Sequence, residues 1–209
     1  MNHLARFNAL KDQLVEAGAH VRYHETELEL TRGEIPYLEK ESGIKVTEEV
    51  FDFYHTLNGA DLSWNMTVKG QSLSGFMSIQ SYIGVLRERI KGRLWVDWYE
   101  SEDIERIKAH KIFEFIEGTD YYITIRFEKD GSYKLYYVAE GAVNHGGSKN
   151  LPEIPLSIAQ YFQVIAGYYG FPTIRYHLHK EEFYTRPFEV VPELIVLKEI
   201  FPGFNPPKI

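Results

Sequence analysis

The chain has no cysteine, so disulfides, thiolate nucleophiles and cysteine-ligated metals are excluded from the outset. It also lacks an excess of positive charge. With 23 Lys and Arg against 30 Asp and Glu, its formal charge of −7 argues against a nucleic-acid binder, which needs a basic footprint, and suits a basic protein partner. No apolar run approaches the roughly 20 residues of a membrane-spanning helix. The first ten residues have neither the unbroken apolar stretch nor the small-residue cleavage site of a signal peptide, so a cytoplasmic protein is expected. Internal repeats, low-complexity tracts and linkers are missing as well. The 209 residues are therefore expected to form one domain, 1–209, long enough to bury a full core.

Aromatic residues are plentiful, with 15 Tyr and 13 Phe, and so are local signals. Leu4, Phe7, Leu10 and Leu14 share one helical face, which predicts a helix ending near Gly18. Thr47 is placed to cap a second helix, with Glu48 and Glu49 in the first turn where the helix dipole favours carboxylates. Val50, Tyr54 and Leu57 form the apolar stripe of that helix, Phe51 and Phe53 widen it, and Asn58-Gly59 stops it before a strand-like Leu62-Ser-Trp64. Tyr82, Ile83, Leu86 and Ile90 keep helical spacing, whereas Arg93 to Tyr99 fits no single period.

The strongest β signal is a hairpin of Tyr121–Glu128 and Tyr133–Val138 around Asp130-Gly131. A two-residue turn there predicts Ile125 opposite Tyr136 and Ile123 opposite Val138. Ser157 and Gln160 have capping-box spacing ahead of Tyr161, Phe162 and Ile165. Ile174, Tyr176 and Leu178 alternate with Arg175, His177 and His179, which reads as a half-buried strand. Pro192 opens a final helix whose Leu194, Leu197 and Phe201 would dock on the body. The expected class is α+β, a mostly antiparallel sheet packed against helices.

Tyr54-His-Thr-Leu-Asn58-Gly59 followed by Trp64 resembles the signature of the SUKH superfamily, the domain of Smi/Knr-type regulators and of many bacterial immunity proteins. In that signature a helix ends in Phe/Tyr-x-x-x-Asn-Gly and a Trp-bearing strand follows. Val46-Thr47 stands where the signature carries an aliphatic-proline pair. The resemblance covers about residues 30–180 and implies a SUKH-like core with terminal helices packed on it. It further implies a non-enzymatic domain without cofactor that binds and neutralises a cognate toxin, often a basic nuclease. The same superfamily also contains regulatory or scaffolding modules of cell-envelope and signalling control, which is the alternative role.

Candidate chemistry is sparse. His177 and His179 would project to one side of a strand and could hold a metal with His20 or His24 and Glu181, the basis of a remote metal-dependent hydrolase alternative. Two alternating histidines without a spacing-defined third ligand are more often a solvated face. His20 and His24 lack the Glu of a zinc-protease helix, Gly146-Gly-Ser-Lys149 in the loop Gly141–Asn150 has the wrong order for a P-loop, and no Gly-x-Ser-x-Gly elbow occurs. No catalytic residue and no metal ligand is therefore assigned. The surface singled out for partner binding is the acidic, aromatic stretch of Trp95, Asp97, Trp98, Tyr99, Glu100, Glu102 and Asp103, where rings offer contact area and carboxylates offer steering. The same residues also read as core aromatics beside a solvated helix start at Ser101-Glu-Asp-Ile-Glu-Arg106, as charged runs usually are.

Overall fold

The computed structural model describes residues 2–87, 108–116, 121–139 and 151–207. The first helix, α1 (His3–Glu16), is capped by Asn2, whose side-chain oxygen accepts from the Ala5 amide at 2.9 Å. Its buried stripe is His3, Phe7, Leu10 and Leu14, while the expected Leu4 is 40% exposed. His3 takes its place because its ring fits between Phe53 and Phe162, at centroid distances of 5.2 and 5.5 Å.

Strand β1 (His20–Glu25) leads through an exposed loop to α2 (Ile35–Ser42) and α3 (Glu48–Thr56). Thr47 caps α3 as its sequence position predicts, accepting from Val50 N at 3.4 Å. Next come β2 (Ala60–Val68), β3 (Gln71–Ile79) and the short α4 (Tyr82–Arg87). Strands β4 (His110–Ile116), β5 (Tyr121–Phe127), β6 (Tyr133–Val138) and the two-residue β7 (Glu153–Ile154) complete the sheet, and α5 (Ile158–Gly167) follows. Ser157 and Gln160 form the predicted capping box on α5.

The seven strands among the described residues join one antiparallel sheet in chain order, so strands consecutive in the chain are neighbours in space. Helices α1, α3 and α5 pack against one another and against this sheet. The chain of rings from Phe162 and Phe53 to Phe113 on β4, and from Phe113 to Tyr161, marks the layer between them. The fold is α+β. Among the described residues no helix is long and apolar enough to cross a membrane. Edge strand β1 carries a bulge between Val21 and Tyr23 and charged side chains, devices that keep an exposed edge from recruiting another chain.

Several expectations are corrected. The β5–β6 loop has three residues rather than two: Gly131, at φ +88°, donates to Glu128 O, and Glu128 N donates to Ser132 O at 2.8 Å. The extra residue moves the register by one, so Ile125 faces Leu135 and Ile123 faces Tyr137. The predicted strand at 174–179 is instead a single helical turn, α6 (Ile174–His177), and Arg175 points inward with 1% of its surface exposed. Finally, Gly59 alone takes the left-handed conformation after α3, at φ +80°, and Asn58 has another task, described below.

The C-terminal residues form α7 (Glu181–Thr185), α8 (Pro187–Val190), a 3₁₀ turn (Pro192–Leu194) and α9 (Ile195–Ile200). The predicted final helix is thus split into two kinds of turn, while Leu194, Leu197 and Phe201 are buried as expected.

Candidate functional site

The sheet opens between β3 and β4. The two strands share one paired position, Ile79 with Glu114, next to a bond from Gln80 N to Phe113 O. The segment after α5 fills the wedge below. Phe76 N donates to Gly170 O at 3.0 Å and the Trp64 indole N–H donates to Tyr169 O at 2.7 Å. Gly170 sits at φ +69°, and a Cβ there would lie 2.6 Å from Phe76 O, so this approach requires glycine.

Arg175 closes the wedge. Its Nε donates to Glu114 Oε2 at 2.8 Å and its Nη2 to Glu114 Oε1 at 2.5 Å. Nη2 also reaches Phe76 O at 2.8 Å, Nη1 reaches the carbonyls of Gly170 and Phe171, and the guanidinium lies 4.7 Å from the centroid of the Phe76 ring. Glu114 accepts further from the Tyr161 hydroxyl and from Ser78 N. Both charges are out of reach of solvent. Burial alone would lower the Arg175 pKa, but pairing with Glu114 outweighs it and holds the pKa above its ordinary value. Burial, and then the negative charge of Glu114, push the Tyr161 phenol well above its usual range. Arg175 therefore stays charged and Tyr161 neutral at physiological pH. With its hydrogen-bonding capacity taken up internally, this cluster clamps β3, β4 and the segment after α5 together.

The histidines singled out for metal binding are not brought together as the strand reading required. His177 closes α6 and its Nδ1 lies 3.4 Å from the Lys180 ammonium, while His179 packs between Tyr137 and Tyr176. Burial, followed by the charge of Lys180, lowers the pKa of both. His24 stacks on Phe7 and bonds its carbonyl, and His20 is exposed on the sheet edge. Among the described residues no three His, Asp or Glu side chains form a group that could hold a metal ion. A groove of about 790 Å³ runs between α1, the end of α5 and the C-terminal segment, lined by Arg6, Gln13, Tyr169, Phe201 and Pro207.

The surface that stands out is the loop from β1 to α2. Asn58 organises it: its Nδ2 donates to Leu28 O at 2.6 Å, its backbone carbonyl accepts from Glu27 N at 3.0 Å, and its Oδ1 accepts from Tyr82 N at 2.9 Å. One residue thus ties the loop to the start of α4. Two residues on, Leu30 N donates to Tyr54 O, and Leu30 O lies 3.0 Å from His55 Nδ1. The Asn58 side chain and the backbone carbonyl of Tyr54 therefore hold this loop in place, a role their sequence positions did not reveal.

Pinned in this way, the loop turns Leu30 into the core and leaves Leu28 90% exposed. Glu25, Glu27 and Glu29 flank it, all exposed, and Glu25 lies directly across from Asp61 in the β1–β2 ladder. Like charges at such a position repel. His55 lies 3.9 Å from Glu29, and Asp61 accepts from the Ser78 hydroxyl, but among the described residues Glu25, Glu27 and Asp61 have no ion-pair partner. The acidic aromatic stretch from Trp95 to Asp103, a candidate partner surface by its sequence, lies outside the described residues, as does the glycine-rich loop 141–150.

The chain matches no family model and no curated protein.

Proposed function

We propose that this protein is a non-enzymatic binding domain of immunity type, which attaches to a basic toxin domain and blocks it by steric cover and negative charge. The observation that carries this reading is the contrast between its two sets of ionisable groups. Inside, Glu114, Tyr161 and Arg175 are tied to one another; outside, the net charge of −7 includes the exposed Glu25, Glu27 and Asp61, which have no ion-pair partner among the described residues, beside a hydrogen-bonded loop. Uncompensated surface charge steers association with an oppositely charged partner and raises its rate at low salt.

The test is co-purification from the native host followed by mass spectrometry, with the recovered partner then used in stopped-flow association. A basic protein whose association rate falls steeply as salt is raised is the expected result. An acidic partner, or an on-rate indifferent to ionic strength, refutes the proposal. A gene placed directly downstream of a large toxin-like gene favours immunity over a regulatory role.

A further inference from the structure

We infer that Leu28 is the apolar anchor of the partner contact, seated in an apolar pocket of a Lys- and Arg-rich protein surface, with Glu25, Glu27, Glu29 and Asp61 pairing with the cations around that pocket. The inference rests on the protein-binding reading above and names the surface that performs it.

The anchor comes first. A leucine exposed to 90% normally gains by folding back onto nearby apolar surface, and here it does not. The backbone explains why: bonds at Glu27 N, Leu28 O, Leu30 N and Leu30 O fix the loop on both sides of Glu29, with Leu30 held inside and Leu28 outside. Because those bonds already exist in the free protein, docking costs no loop ordering, the condition under which a single buried side chain contributes most to affinity. An apolar centre with a polar rim is also the usual anatomy of a binding hot spot.

The sign of the partner follows from the rim. Glu25 faces Asp61 across the ladder, and no described cation relieves either. A Lys or Arg from another molecule would remove this repulsion, whereas an acidic surface would add to it.

The probe is a displayed library of twelve-residue peptides selected on the immobilised full-length protein. Enriched peptides are expected to carry a hydrophobic residue flanked by Lys or Arg. Their affinity should fall at least 10-fold in Leu28→Ala and several-fold in Glu25→Gln with Glu27→Gln, and hold in Leu4→Ala, a control at another exposed leucine. Urea midpoints verify that each variant folds, as the exposure of these side chains leads one to expect. If the enriched peptides are basic but bind Leu28→Ala and the Glu variants as tightly as the unaltered protein, Leu28 is not the anchor and the inference falls, while the binding function stands. If no basic peptides are enriched, both fall.

Discussion

Replacing Arg175 with methionine removes a guanidinium that bonds Glu114 twice and also satisfies Phe76 O in the wedge between β3 and β4. The carboxylate of Glu114 is then left without access to solvent, with only the Tyr161 hydroxyl and the Ser78 amide as donors. Breaking one side of a buried ion pair costs about 3–5 kcal/mol. That is a large part of the ~5–15 kcal/mol that stabilises a typical domain. For a chain of this size, a loss of about 4 kcal/mol lowers the melting temperature by roughly 8–16 °C. The triple variant Glu114→Leu, Tyr161→Phe, Arg175→Met removes the whole polar set, which takes the Glu114 acceptor from the Ser78 amide and leaves backbone carbonyls such as Phe76 O short of a donor, at a cost of about 1–3 kcal/mol. Urea unfolding followed by tryptophan fluorescence should therefore rank the unaltered protein first, the triple variant second and Arg175→Met last, with similar slopes. The reasoning fails if Arg175→Met unfolds within about 1 kcal/mol of the unaltered protein, or if the triple variant is less stable than the single one.

Three further outcomes are expected. Asn58→Ala leaves the Tyr82 amide at the start of α4 without its acceptor and frees the Leu28 carbonyl, so stability falls by about 1–3 kcal/mol; amide exchange in residues 26–30 should accelerate as well, and unchanged exchange there would disprove the pinning. His110 is buried, and burial, with the nearby charge of Arg126, lowers its pKa from 6.5 to about 4. Its folded state resists a proton that the unfolded chain accepts, so its contribution to stability is intact above pH 6.5 and is lost as pH falls towards 4. The contribution lost between pH 7 and pH 5 is roughly 2 kcal/mol, and His110→Gln should flatten the thermal-stability profile across that window; parallel profiles would refute it. Ser157→Ala removes one half of the capping box on α5 and should cost about 1 kcal/mol, read from the melting temperature.

Local chemistry settled what was local. Thr47, Ser157 and Gln160 announce their helices because a cap acts over three residues, and the α1 and α3 stripes follow from a period that the backbone imposes. The α+β class was legible for the same reason. Register was not legible. Tyr122, Thr124, Tyr136 and Val138 on one face of β5 and β6 are buried like Ile123, Ile125 and Leu135 on the other, so no apolar alternation chooses between two pairings one residue apart. The choice fell to the three-residue turn at Gly131, where a Cβ would lie 2.4 Å from Lys45 O, a neighbour 86 positions away in sequence. Arg175 was misread in the same way. A charge amid alternating apolar residues reads as the outward face of a strand unless its partner is known, although Glu114 between Phe113 and Phe115 was a hint of a buried pair. The sequence by itself determined the N-caps of α3 and α5, the class of fold and the acidic balance, because these depend on neighbours along the chain or on sums over it. Tertiary structure alone decided that Asn58 holds the Leu28 loop outward and that Glu114 meets Arg175, because each depends on groups that folding brings within about 3 Å of one another from distant positions.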